Sequence, residues 1–94
     1  MSAYIIARIE VTNPEAYMKY ASQTVALAEK FGGTFLVKAG PMKQLEGDGP
    51  ERHVVIQFPD MERAERFYAS DEYAQILPIA LNASKRDLVL VEGV

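Results

Sequence analysis

The order of the periodic segments constrains this chain more than anything else in it. In 94 residues it reads strand, helix, strand, strand, helix, strand. Period-two alternation marks Tyr4–Val11, Phe35–Ala39, His53–Phe58 and Leu88–Val91 as strands. Three-and-four spacing marks Pro14–Phe31 and Met61–Leu81 as helical. That order predicts a split βαβ arrangement, with the first and third strands central and the other two at the edges. Helices then cover only one face of the sheet. The other face is either polar or covered by something else.

The pattern specifies an α+β, ferredoxin-like βαββαβ subunit with a four-stranded antiparallel sheet. Ninety-four residues predict one domain over residues 1–94, since two could not each bury a core. Local signals agree. Asn13 caps the first helix, Pro14 suits its first position, and Gly32-Gly33 stops it. Asp60 starts the next helical stretch, and Ser70-Asp71-Glu72 reads as a second start, dividing it into Met61–Ala69 and Asp71–Ala80. Pro78 is expected to kink or end the second piece. The ten residues Met42–Glu51, between Pro41 and Arg52, would be a long structureless loop, so Met42–Glu46 is expected to form an extra strand or arm, with a turn at Gly47-Asp48-Gly49-Pro50.

Composition excludes several functions. There is no cysteine, so disulfides, Fe–S clusters, thiolate zinc and cysteine nucleophiles are excluded. One histidine gives no metal-ligand spacing, and no metal or cofactor is expected. The net charge is −3, which argues against nucleic acid. An RNA-reading sheet would also need stacking aromatics, and only Tyr4 qualifies. No run of 18 apolar residues predicts a membrane span, and the start does not read as a secretory signal, so a cytoplasmic location is expected.

The helix-free face is predicted to carry Tyr4, Ile6, Arg8 and Glu10 of the first strand. His53, Val55 and Gln57 join them from the third, and Leu36 and Lys38 from the second. Ile6, Leu36 and Val55 form an apolar patch that an identical sheet would cover, making a homodimer. Arg8 and His53 then become candidate catalytic groups, Arg8 for an anionic oxygen and His53 as a base. The competing readings are an Arg8–Glu10 pair and a solvated histidine at the sheet rim. Tyr17 and Tyr20 lie one turn apart on the first helix. With Gln57 and Tyr68 they are candidate ligand-binding residues in a pocket shared with Arg8 and His53; the competing reading of the tyrosines is core. Lys85-Arg86 reads as a solvated pair.

Tyr4-Ile5-Ile6-Ala7-Arg8-Ile9, Asn13-Pro14-Glu15-Ala16-Tyr17 and Gly32-Gly33 before Phe35-Leu36-Val37 form an ordered set with later segments. Those are Gly40-Pro41, Leu45-Glu46-Gly47, Phe58-Pro59, Phe67-Tyr68, Glu72-Tyr73 and Leu88-Val89-Leu90-Val91-Glu92-Gly93. In this order and spacing the chain resembles the family catalogued as domain of unknown function 1330, within the dimeric α/β-barrel superfamily. The resemblance implies a dimer with two sheets packed face to face. It implies no agreed reaction: the superfamily holds cofactor-free monooxygenases, lactone isomerases, haem enzymes and non-catalytic members. Relatives often carry an arginine late in the second helix, where this chain has Ile79-Ala80-Leu81. The expected function is a homodimeric small-molecule-binding protein, acting as a cofactor-independent oxygenase- or isomerase-like enzyme on a small apolar or carbonyl compound. The alternative is a non-catalytic binding or dimerisation module.

Overall fold

The computed structural model describes residues 1–94. Its elements are β1 (Ala3–Val11), α1 (Pro14–Lys30), β2 (Thr34–Lys38), β3 (Arg52–Phe58), α2 (Met61–Ala69), α3 (Asp71–Ala83) and β4 (Ser84–Glu92). The antiparallel sheet has the order β2-β3-β1-β4, so β1 is central and the last strand returns beside the first.

The caps form as their residues require. The Asn13 side chain accepts from the Ala16 N–H, and that of Asp60 from the Arg63 N–H. Ser70 accepts from the Tyr73 N–H, starting α3 directly after α2 ends. Gly33 is required by close approach: a Cβ there would stand 2.9 Å from the Ala28 carbonyl oxygen and 3.0 Å from the Phe58 ring.

Ile5, Ala7, Ile9, Ile56 and Phe58 face the helices and are buried. They pack against Tyr17, Tyr20, Ala28, Ala64, Phe67, Tyr73 and Ile76. Phe67 lies at the centre of the aromatic cluster, with ring centroids 4.8 Å from Tyr73, 5.5 Å from Phe58 and 6.1 Å from Phe31.

Cross-strand partners share a face. On the helix-free face Val37, Val55, Ile6 and Val89 therefore form one aliphatic row across all four strands. Val89 is 54% exposed and Val37 41%. A second row on this face holds His53, Arg8 and Asp87.

Three expectations are corrected. Residues 39–51 form no strand, so Met42–Glu46 adds none: their side chains are exposed and no strand pairs with them. The segment instead brings Gly49 against the Arg8 guanidinium. Pro78 does not end its helix, which runs to Ala83, because proline removes one internal hydrogen bond while Tyr73, Ile76, Ala80 and Ala83 still bury their face. The alternation assumed for β2 fails at a bulge between Phe35 and Val37. The extra residue turns Val37 to the open face, opposite Val55, and brings Lys38 opposite Val54 on the helix side. No helix is long and apolar enough to cross a membrane.

Candidate functional site

The site is the space the helices leave over the sheet. β1 contributes Ile5, Ala7 and Ile9, α1 contributes Tyr17, Tyr20, Ala21, Thr24 and Val25, and β3 contributes Arg52, Val54 and Ile56. Phe35, Lys38, Phe67, Tyr68, Tyr73, Arg86 and Leu88 complete a cavity of about 100 Å³. Most of this wall is apolar, with polar groups gathered from α1, α3, β3 and β4. A small ligand is enclosed by such a wall and oriented by such groups.

Strand register explains the gathering. Ile9 pairs with Arg52 on one side and with Arg86 on the other. Both arginines therefore stand in one row beneath the helices, about two strand spacings of 4.8 Å apart. Arg86 donates from Nη1 to Tyr20 Oη at 3.2 Å and Tyr17 Oη at 3.5 Å, and from Nη2 to Tyr73 Oη at 3.1 Å. Tyr20 Oη and Tyr73 Oη share a hydrogen bond of 2.7 Å. The Arg52 guanidinium lies 5.2 Å from the Tyr17 ring centroid, and its buried Nε has no hydrogen-bond partner.

Burial pushes the Tyr17 hydroxyl above the ordinary tyrosine value of 10.0, against the opposing pull of Arg86. Tyr73 is also raised, first by burial and then by Tyr20 beside it. Burial disfavours the Arg86 charge, but the Tyr20 and Tyr73 oxygens outweigh it and hold the proton more tightly than usual. All three shifts run upward, so each contributes stability below the unfolded-state pKa that is lost as pH rises through the folded one. Urea unfolding should show this contribution unchanged from pH 7 to about 9 and falling above about pH 10, as tyrosines of the unfolded chain lose protons first. A stability equal at pH 8 and pH 11 would contradict the buried network.

The structure divides the six sequence-derived candidates into two sets. Tyr17, Tyr20 and Tyr68 line the cavity. Arg8, His53 and Gln57 lie on the other face of the sheet, because they fall on the opposite phase of β1 and β3 from Ile9, Arg52 and Val54. A cavity common to Arg8, His53 and Tyr17 is therefore not formed within the chain: the sheet stands between them. Arg8 makes no ion pair with Glu10; the ion pairs are Lys30–Glu72 and Arg66–Glu62. Gln57 donates to Ser2 Oγ at 3.1 Å and to Tyr4 Oη at 3.4 Å.

Arg86 is not the solvated residue that the Lys85-Arg86 pair suggested. Counting back by twos from Leu90 and Leu88 puts it on the inward phase, and the same count from Ile56 and Val54 finds Arg52. Tyr73 follows the Ser70-Asp71-Glu72 start signal, and its hydroxyl meets Tyr20 of α1 and Arg86 of β4. Lys38 depends on a bulge that the residue pattern does not announce.

The family model of the Domain of unknown function (DUF1330) matches residues 2–94. No curated protein matches the chain. Among solved structures, the RPA0582 protein of unknown function from Rhodopseudomonas palustris aligns with TM-score 0.80 at 13% identity, over 99% of this chain and 82% of that one. SnoaB, a cofactor-independent oxygenase from Streptomyces nogalater, aligns with TM-score 0.69 at 16% identity, over 99% and 93%. An antibiotic biosynthesis monooxygenase aligns with TM-score 0.57 at 17% identity, over 100% and 99%. At these identities the likeness shows a shared fold.

Proposed function

We propose, from the premise that this chain belongs to the DUF1330 family, that it is a homodimer whose subunits each bind a small, largely apolar molecule in the helix–sheet cavity. The carrying observation is the cavity itself, apolar along its walls and supplied with hydroxyl and guanidinium donors at one end. Tyr17, Tyr20 and Tyr68 are its ligand-binding residues in this reading. A carbonyl compound fits: its apolar body takes the wall and its oxygen takes a donor. Stabilising a developing negative charge on that oxygen is the service an enzyme without a cofactor can render. SnoaB, described as a cofactor-independent oxygenase, shares this fold. The reading is therefore a cofactor-independent enzyme that positions a carbonyl substrate and stabilises its enolate.

The dimer rests on the row of Val37, Val55, Ile6 and Val89, which presents contiguous aliphatic surface across the sheet. A second sheet packed on that face would place Arg8, His53 and Gln57 between subunits. There they would act as a polar border of the interface. The same face favours a second reading, a module whose only task is to dimerise.

Mass spectrometry under native conditions on protein from its own host tests the cavity. Wild-type chain should carry a small molecule that Ala21→Phe, which fills the cavity from α1, does not. The cavity reading fails if wild type carries none and also binds neither benzyl alcohol nor acetophenone.

A further inference from the structure

The polar groups of the cavity have an excess of donors. Arg52 Nε is buried without an acceptor, and neither Arg52 nor Arg86 has a carboxylate partner. No aspartate or glutamate lines the cavity, while Lys38, Arg52 and Arg86 all do. The hydroxyls tell the same story. Tyr20 and Tyr73 carry two protons between them and share one hydrogen bond, so one proton is unspent. Arg86 cannot accept it, since guanidinium only donates. Thr24, whose hydroxyl donates to the Tyr20 carbonyl oxygen at 2.8 Å, makes no hydrogen bond to either tyrosine hydroxyl.

Such a site is incomplete. Arg52 and Arg86 are half-buried, and a fully buried donor without a partner, such as Arg52 Nε, is rare. The whole chain is acidic, so this is not the edge of a general basic surface. What is missing is an acceptor with negative charge, small enough for the cavity and otherwise apolar. We propose that the cavity takes a small organic carboxylate, its oxygens received by Arg52 and by the Tyr20–Tyr73–Arg86 cluster and its apolar body by the wall around Ile5 and Val54. This rests on the cavity reading above and adds the charge of the ligand. Arg52 is the specificity determinant: Arg86 already has three hydroxyl acceptors, whereas Arg52 Nε has none.

Benzoate and benzamide test the proposal, since they match in shape and differ in charge. Titration followed by NMR should show benzoate binding at least about tenfold more tightly, the factor a charge-assisted hydrogen bond contributes. Arg52→Met should bring benzoate and benzamide within about threefold of each other, with benzoate losing the larger part of its affinity. The variant's melting temperature should stay close to that of wild type, because the lost cation–π contact with Tyr17 is offset by removal of a buried donor that has no partner. An arginine with only a structural role would lower it. Arg52→Lys restores a charge without the Nε donor, and it should regain part of the benzoate preference. Should the methionine variant not fold, the lysine variant and the wild-type ratio carry the test alone. Equal binding of benzoate and benzamide to wild type, with benzyl alcohol bound, overturns the carboxylate and leaves the cavity reading intact. Failure of every probe to bind overturns both.

Discussion

Replacing Phe67 by alanine should destabilise the chain by about 3–5 kcal/mol, the range for truncating a buried aromatic side chain. Phe67 is 2% exposed and touches rings from three other elements: Phe31 after α1, Phe58 of β3 and Tyr73 of α3. A small domain has about 5–15 kcal/mol in total, so this one change removes a large fraction of it. Urea unfolding followed by circular dichroism should show a lower midpoint with an unchanged slope. Phe67→Leu keeps most of the volume and should cost under about half as much. A loss below about 1 kcal/mol for the alanine variant would mean that the aromatic cluster is not the centre of the core.

Val55→Asp should leave the fold in place and abolish self-association. Val55 stands between Val37 and Ile6 in the aliphatic row of the open face, where an isolated subunit leaves it within reach of water. In a sheet-to-sheet dimer the same position lies inside the interface. Two unpaired carboxylates would be buried there, a strongly unfavourable arrangement. Dimer dissociation should become easier by about two orders of magnitude or more. Sedimentation of both proteins at tens of micromolar, about the range where a specific dimer persists, reads the result. A monomeric wild type would remove the dimer. A dimeric Val55→Asp protein would place the interface elsewhere on the surface.

The fold was legible because its signals are local and redundant. Asn13, Asp60 and Ser70 each announce a helix start, and Ile5, Ala7 and Ile9 announce an inward strand face. The site was half legible. Tyr17 and Tyr20 reach the cavity because they share the inner face of α1, which spacing reveals. Arg86 and Arg52 lie on inward phases that spacing also reveals, yet the charge of the Lys85-Arg86 pair suggested solvent, and Arg52 precedes the strand as the sequence bounds it. Lys38 was hidden for a different reason. A single extra residue in β2 reverses which side chains face inward, and nothing in Thr34–Lys38 marks its place. The segment from Ala39 to Glu51 escaped because length alone suggested a further strand, while in the fold it pairs with no strand and passes beside Arg8 at Gly49.

The tyrosines around the cavity have one more consequence. The chain contains no tryptophan and five tyrosines. Tyr17, Tyr20, Tyr68 and Tyr73 all border the same space, leaving Tyr4 alone outside it. Four of the five tyrosines that dominate near-ultraviolet absorbance and emission of the native protein therefore sit at one locus. Occupancy of that locus is readable from intrinsic light, without a label, in the unmodified chain.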